Sequence, residues 1–512
     1  MRRVSPMIES ARRSSAAGAG VLAALLLCAS LARADAPAEF RCQRDHVLGT
    51  SLDLIGTAGD AQQAKAVEEA VLKEVERLSG ILNAYDPQSE IGRLNATTEP
   101  VKCSAELFEV LEACENWRKA SDGAFNGQLG RVIETWKQAE KAGKLPDPAD
   151  LAARVAEAGK PAFEIDKPHG TVRRLNGAKL DVGALAKGYI VDKALTAGQI
   201  EGCETMLLDI GGDVRAWSRK SGPDGKNWSV GVADPAHPAD NAVPRARLLV
   251  QNAAVATSGN YARFYTIAGT KHSHIFDPRT GQSADRIVSS TAVAGDCATA
   301  DALATIFSVL DPKDSLRLVK TVKGAECMIV AADGAVYTSD GWKKLEAPAA
   351  APDSSRPSAK VVKGPEAWPD GYQTVFSLNL KRTWVRPYVA IWVEDASGKA
   401  VKTLAVWGRE QKYLRQLASF WKQAGGDRQA VDAVSRASRS GGKYTLVWDG
   451  TDDAGKPVPQ GKYVLRLELF RKEGKRFDLS GPVECGSKAV SGSIPDSPEV
   501  TDMEIRYEKQ EK

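Results

Sequence analysis

The sequence predicts an α+β domain followed by an all-β sandwich. Three observations carry this reading. Two stretches near the start keep apolar residues at helical spacing, short β-like runs then recur without regular βαβ alternation, and the composition changes abruptly at Ala347. A chain of 512 residues is too long for one core, so two or three domains are expected. Apolar residues at 43% and charged residues at 26% are ordinary for globular protein and argue against wholesale disorder.

The first element is a targeting segment. Arg2, Arg3, Arg12 and Arg13 precede an apolar run from Val21 to Leu27, and Ala32-Arg33-Ala34 places small residues at both cleavage-determining positions. This is the pattern of a secretory signal peptide over residues 1–34, cut after Ala34. The run is too short to span a bilayer. Leu27 is too bulky before Cys28 for a lipoprotein signal, and Ser14-Ser15-Ala16 fits twin-arginine export poorly. The mature protein is expected to be periplasmic or secreted. Residues 1–34 hold five Arg and one Glu, which accounts for the whole +4 charge of the chain. The mature part is near neutral, so no basic surface for nucleic acid remains. Seven scattered cysteines follow without a CxxC pair, which argues against a zinc cluster. A Cys42–Cys103 disulfide is the first expectation for an oxidising compartment.

Asp60 is expected to cap a helix to about Leu82, with Val67, Val71, Val75, Leu78 and Leu82 on one face. A second helix is expected over Ser104–Ala120, from Leu107, Leu111, Cys114 and Trp117. Strands are expected at Ala178–Asp181, Thr205–Ile210, Trp228–Val232, Arg247–Gln251, Ala254–Thr257 and Val288–Ala294. Residues 35–346 then form the first domain. A Pro/Ala/Ser-rich linker is read over 347–370. The sandwich spans 371–512, with strands at Val375–Leu380, Tyr388–Glu394, Lys443–Trp448 and Tyr463–Arg471 and a helical insert at Gln411–Ala424. Gly450–Gly461 is read as a hairpin connection, and Trp392, Trp448 and Tyr463 as core.

The chemistry lies in the first domain. Ala298–Ser308 reads as a helix that puts Asp301 and Thr305 on one face, two hard oxygen donors of the kind Mg²⁺ prefers. Asp181-Val182-Gly183-Ala184 reads as a small-residue turn into a helix whose free N–H groups face an anion, with Lys187 adding positive charge. No GxGxxG or Walker A motif is present. Asp209-Ile210-Gly211-Gly212-Asp213 suggests close backbone approach to a ligand or a bend. Thr257-Ser258-Gly259-Asn260-Tyr261 reads as a hydroxyl-bearing turn. In His272-Ser273-His274-Ile275-Phe276-Asp277-Pro278-Arg279-Thr280-Gly281, the two histidines would share a face if on a strand. Too few other histidines exist to complete a zinc or copper site. His274 is the candidate proton acceptor, with Asp277 to orient or replace it.

In order along the chain, Gly49-Thr50-Ser51-Leu52, Asn83-Ala84-Tyr85-Asp86, Asp122-Gly123-Ala124-Phe125-Asn126, DVGALAKGYIVD, DIGGDV, TSGNY, HIFDPRTG and ADALAT resemble the ApbE-like FAD:protein FMN transferases over about residues 48–310. The resemblance implies an enzyme that binds FAD with Mg²⁺, joins FMN through a phosphoester to a Thr or Ser of an exported acceptor protein, and releases AMP. It implies Ala184 (carbonyl), Asp301 and Thr305 as metal ligands. It implies Leu52, Tyr85, Ala124, Phe125, Asn126, Asp181, Lys187 and Ile275 as the FAD site, and a setting beside inner-membrane electron-transfer complexes. Asn126 stands where the family usually has Asp, and Leu52 where Met or an aromatic is usual. The runner-up is an FAD pyrophosphatase with water as acceptor, and the departures at Asn126 and Leu52 motivate a third reading, a flavin carrier without turnover. The region from about Gly371 resembles a periplasmic domain of unknown function attached to some flavin transferases. Its Val447–Asp452 segment is also similar to immunoglobulin-like modules.

Overall fold

Apolar residues alternate along most strands of the first domain, and eight strands join in one sheet. The computed structural model describes residues 37–510 apart from 238, 243, 261–262, 349–366, 382–386, 409–410, 426–434, 437–440 and 473. The signal segment, most of the expected linker and Tyr261 therefore lie outside the described residues. The strands are β1 (Ala38–Val47), β2 (Thr50–Ala58), β3 (Thr205–Ile210), β4 (Asp213–Ser218), β5 (Ala254–Gly259), β6 (Ile287–Ala294), β7 (Glu326–Ala331) and β8 (Val336–Thr338). Each pairs antiparallel with the next, so the sheet is a meander and everything else is inserted between its strands.

Three inserted helices cover one face: α1 (Ala61–Leu82), α2 (Gly183–Ile200) and α3 (Cys297–Val309). As expected, the Asp60 side chain accepts the Gln63 N–H at the start of α1, and Val67, Val71, Val75, Leu78 and Leu82 are buried. They meet Leu54, Met206 and Leu208 from the sheet in the main core. The opposite face is closed by a hairpin of Trp228–Val232 and Ala246–Val250, together with Trp342.

The second expected helix is present as Ala105–Ala120, capped by Ser104. Ala178–Asp181 is not a strand. At Leu180 a side chain stands in for a strand partner: the Leu180 N–H donates to Asn95 Oδ1 and Asn95 Nδ2 donates to the Leu180 carbonyl, both at 2.8 Å, while Asp181 N–H and the Lys179 carbonyl pair with the backbone of Gly127 and Gly130. No disulfide joins Cys42 to Cys103. All seven cysteines among the described residues are free thiols. Cys42 is buried on β1, whereas Cys103 Sγ donates to the Val101 carbonyl beside a separate small sheet. Burial pushes their thiols up to about 12 and about 11.

Among the described residues, the C-terminal region is all β apart from two short helical pieces, Gln411–Leu414 and Ala418–Gln423. Its strands are β9 (Tyr372–Leu380), β10 (Tyr388–Asp395), β11 (Ala400–Trp407), β12 (Gly442–Trp448), β13 (Gly461–Phe470), β14 (Phe477–Cys485), β15 (Val490–Ile494) and β16 (Val500–Lys509). One sheet runs β12-β9-β16-β15. The other contains β11-β10-β13-β14. Phe376, Leu446 and Tyr507 of the first pack with Ile391, Leu465 and Leu467 of the second, which makes a sandwich. Gly450–Gly461 is therefore not a hairpin loop, because β12 and β13 belong to different sheets and the segment crosses between them.

The two domains meet at the sandwich's edge strand β12. The Asp240 N–H donates to the Thr445 carbonyl at 2.8 Å, and Thr445 N–H donates to Asp240 Oδ2 at 3.1 Å. Asn241 brackets Val447 from both sides, with Nδ2 donating to its carbonyl and Oδ1 accepting its N–H, each at 2.8 Å. The loop bearing these residues thus occupies an open edge that would otherwise invite foreign strands. Asn241→Ala removes two hydrogen bonds and is expected to weaken this docking by about 1–2 kcal/mol. Hydrogen exchange at the Val447 amide should quicken by roughly 5–30-fold. Unchanged exchange would count against the contact.

Candidate functional site

A cleft of about 1030 Å³ opens between the α2–α3 pair and the strand Trp228–Val232 and gathers most of the expected residues. Its floor comes from the start of α2. Val182 precedes the helix without a side-chain cap, its carbonyl accepts the Leu185 and Ala186 N–H groups, and Gly183 and Ala184 stand on the wall. Asp181 is held by Gly183, whose N–H donates to Oδ1 at 3.0 Å, and by Tyr85, whose hydroxyl donates to Oδ2 at 2.8 Å. The Tyr85 ring is 65% exposed, with Lys137 Nζ at 4.2 Å from its centre. Ala124, Phe125 and Asn126 also line the cleft. The Asn126 side chain is engaged locally: Nδ2 donates to the Ala158 carbonyl and Oδ1 accepts the Gln128 N–H.

One turn into α2, Lys187 reaches Asp213 at the start of β4. Its Nζ lies 2.9 Å from Asp213 Oδ2, in an alignment that leaves this buried oxygen without a hydrogen bond. Asp213 and Asp301 of α3 interact directly. Burial pushes Asp301 above the usual carboxylate value. Burial, with the Asp301 charge added, pushes Asp213 well above it. Burial opposes the Lys187 charge, but Asp213 and Asp301 outweigh it and hold the ammonium above its ordinary value. Gly188 N–H donates to Asp301 Oδ2 at 3.1 Å. In a regular helix that amide serves the Ala184 carbonyl. Thr305, one turn beyond Asp301, lies 3.4 Å from Ser258 Oγ at the end of β5. Ala184, Asp301 and Thr305 all line the cleft.

These residues fit a hard divalent cation. The donors are all oxygens, and a mostly buried carboxylate pair with one unbonded oxygen has a single ammonium beside it. Among the described residues no group of three or more His, Cys, Asp or Glu forms a complete cage. That suits Mg²⁺, which is ordinarily held by one or two carboxylates and finished by substrate phosphates.

His274 and Ile275 line the same cleft. The strand before them ends at Ser273, so the two histidines diverge: His272 packs on Trp136, with ring centres 5.4 Å apart, and His274 faces the cleft. The His274 Nδ1–H donates to the Arg263 carbonyl at 3.0 Å. A carbonyl only accepts, so Nε2 is the basic nitrogen. Burial holds the His274 pKa below its ordinary 6.5, and the Arg263 charge adds to this.

Two expected residues are elsewhere. Asp277 is clamped by Arg279 at 2.8 Å through both carboxylate oxygens, which holds it below the usual carboxylate range. It shapes the Pro-Arg-Thr-Gly turn and does not orient His274, whose Nδ1–H goes to the Arg263 carbonyl instead. Leu52 is fully buried on the core side of β2, as the alternation with Leu54 requires. Leu48 and Gly49, just before β2, line the cleft instead. Gly211 and Gly212, at φ 62° and 94°, form the tight turn between β3 and β4 on the cleft wall. Sequence reasoning quoted Asp213 without a role and missed Arg263 and Tyr265, both on the wall. The signal for Asp213 was a carboxylate directly after the Gly211-Gly212 pair, at the point where a strand opens.

Comparison with known proteins places this geometry. The model of the ApbE family matches residues 48–329, more than half of the chain. The chain belongs to the ApbE family. Membership makes it a transferase. The FAD:protein FMN transferase of Treponema pallidum is 29% identical over 296 residues, covering 55% of this chain and 81% of that protein. That of Vibrio cholerae is 27% identical over 330 residues, 63% and 94%. The solved ApbE protein of Thermotoga maritima shares 28% identity, with a TM-score of 0.53 over 61% of this chain and all of that one. The Vibrio cholerae flavin transferase structure, at 22% identity and TM-score 0.51, shares the fold over 60% of this chain and all of that one. Residues 376–500 match a family described as "Predicted periplasmic protein (DUF2271)", consistent with a periplasmic setting.

The tightest point of this ApbE-type site is Gly188. A Cβ there would sit 2.3 Å from the Cys297 carbonyl oxygen. Gly188→Ala is expected to force α2 and α3 apart, cost about 1–3 kcal/mol, and depress the melting temperature measured by calorimetry. An unchanged melting temperature would contradict the close contact.

Proposed function

We propose that this chain is a Mg²⁺-dependent FAD:protein FMN transferase, exported with cleavage after Ala34, acting on a Thr or Ser of an exported acceptor protein beside inner-membrane electron-transfer complexes. The observation that carries this is one cleft lined by the α2 N-terminus, Lys187, the Asp301–Thr305 face and the free Nε2 side of His274. Its volume of about 1030 Å³ is at the upper end of small-molecule sites, as a dinucleotide substrate needs.

In this reading Tyr85, Ala124, Phe125, Asn126 and Ile275 hold the flavin end of FAD. The pyrophosphate lies at the α2 N-terminus, where amides and Lys187 meet its charge. Asp301, Thr305 and the Ala184 carbonyl would hold Mg²⁺, which supplies charge neutralisation at the phosphates when bound. The acceptor hydroxyl gives its proton to His274 Nε2 as its oxygen bonds to the FMN phosphorus. The bond from that phosphorus to the bridging oxygen breaks, and AMP leaves with the bridging oxygen. Lys187 and the helix amides stabilise the charge that builds on the phosphoryl oxygens.

Incubation of the mature protein with FAD, Mg²⁺ and an acceptor domain should put flavin fluorescence on the acceptor band of a denaturing gel. AMP release without labelling would point to hydrolysis, and neither product would sink the enzyme reading. Asp301→Ala, folded by circular dichroism, is expected to lower labelling by about 100-fold or more. Undiminished labelling refutes the ligand role.

The lowered pKa of His274 sets the pH dependence. Its base form persists on acidification below 6.5, so the acid limb of the rate profile should fall below that value. A His274→Ala variant that keeps the same limb would remove His274 from the proton transfer.

A further inference from the structure

The face of α2 that carries Ala184 and Gly188 continues one turn further to Asp192, since residues four apart stack on a helix. The matching face of α3 carries Cys297, Asp301 and Thr305 at the same spacing. The two faces run antiparallel, with Asp192 beside Cys297, Gly188 between Cys297 and Asp301, and Ala184 toward the cleft.

At the far end, Asp192 does something helix caps rarely do from another element. The Cys297 N–H donates to both of its carboxylate oxygens, at 2.9 and 2.8 Å, and the Ala298 N–H donates to Oδ2 at 2.9 Å. The next two amides of α3 are met from within, Thr299 N–H by Asp296 Oδ1 and Ala300 N–H by the Asp296 carbonyl. The first three amides of α3 are therefore satisfied by side chains, two of them only because α2 stands where it does, and Ala300 makes the first regular helix bond. Arg215 on β4 holds the carboxylate from the sheet side, with Nε 3.2 Å from Oδ1.

We infer that Asp192 is a positioning residue for the cation site, a latch that sets the register of α3 against α2 about 12 Å along the helix from Ala184. It touches none of the three proposed ligands. It determines how far along α2 the Asp301–Thr305 face stands, and so whether those two side chains and the Ala184 carbonyl converge. Gly188 fixes how closely the helices approach, and Asp192 fixes how they are aligned. This rests on the Mg²⁺ reading proposed above.

The test is the affinity of the full mature protein for FAD, read by flavin fluorescence with no acceptor present, over a series of Mg²⁺ concentrations. For the unaltered protein, FAD affinity is expected to rise with Mg²⁺ to a plateau. Asp192→Asn keeps the shape but turns an amide toward donors. It is expected to move the Mg²⁺ midpoint up by about 10–100-fold, the order seen when groups that orient metal ligands are lost. FAD affinity without Mg²⁺ should stay unchanged. A merely structural role would lower the melting temperature or the metal-free affinity and leave the midpoint alone. An unchanged midpoint overturns the latch while the Mg²⁺ reading stands. If FAD binding by the unaltered protein ignores Mg²⁺, both fall. Where Asp192→Asn does not fold, Asp192→Glu, which keeps the charge but displaces α3 by a methylene, is read in the same way.

Discussion

The cleft depends on one steric constraint, the contact of α2 with α3 at Gly188. The helices enter from insertions on either side of β3, β4, β5 and β6, yet their backbones come within the reach of a missing methyl group. The α3 side of the contact is backbone, the Cys297 carbonyl and the Ala298 nitrogen. At interior packing density, such an approach leaves no slack to absorb error. Every group that reaches the cation site from these helices inherits its position from that contact.

The electrostatics point the same way. A mostly buried Lys187 between Asp213 and Asp301 is poor value as a stabilising device, because desolvation consumes most of what attraction returns. An apolar trio of similar size would hold the fold as well. Retaining charged groups there makes sense where a further charged species completes the arrangement.

Much of this was legible in the chain itself. The helical spacing of Val67, Val71, Val75 and Leu78, and the caps at Asp60 and Ser104, mark local events that local sequence encodes. Asp301 and Thr305 were visible as a pair for the same reason. Residues that act through distant partners were harder to read. Asn95 replaces a neighbouring strand for Leu180 across 85 positions, and no periodicity announces that. Strands β11 and β14–β16 escaped notice because sandwich strands owe their state to partners far along the chain. Leu52 was misjudged by trusting a motif over the alternation of β2, and Asp277 by overlooking Arg279 two residues on.

The free thiols carry a consequence for biogenesis. Cys42, Cys114, Cys203, Cys297, Cys327 and Cys485 are buried, and Cys103 is half-buried. Burial raises the pKa of each of these thiols, so little of the reactive thiolate forms. In the native state they are safe even under oxidising conditions. On the export proposed above, a chain crossing unfolded would expose them, and any pairing formed there would have to be undone before the meander could close. Maturation would then be a race between chain collapse and thiol oxidation, in which the apolar packing that builds the cleft also shields the thiols.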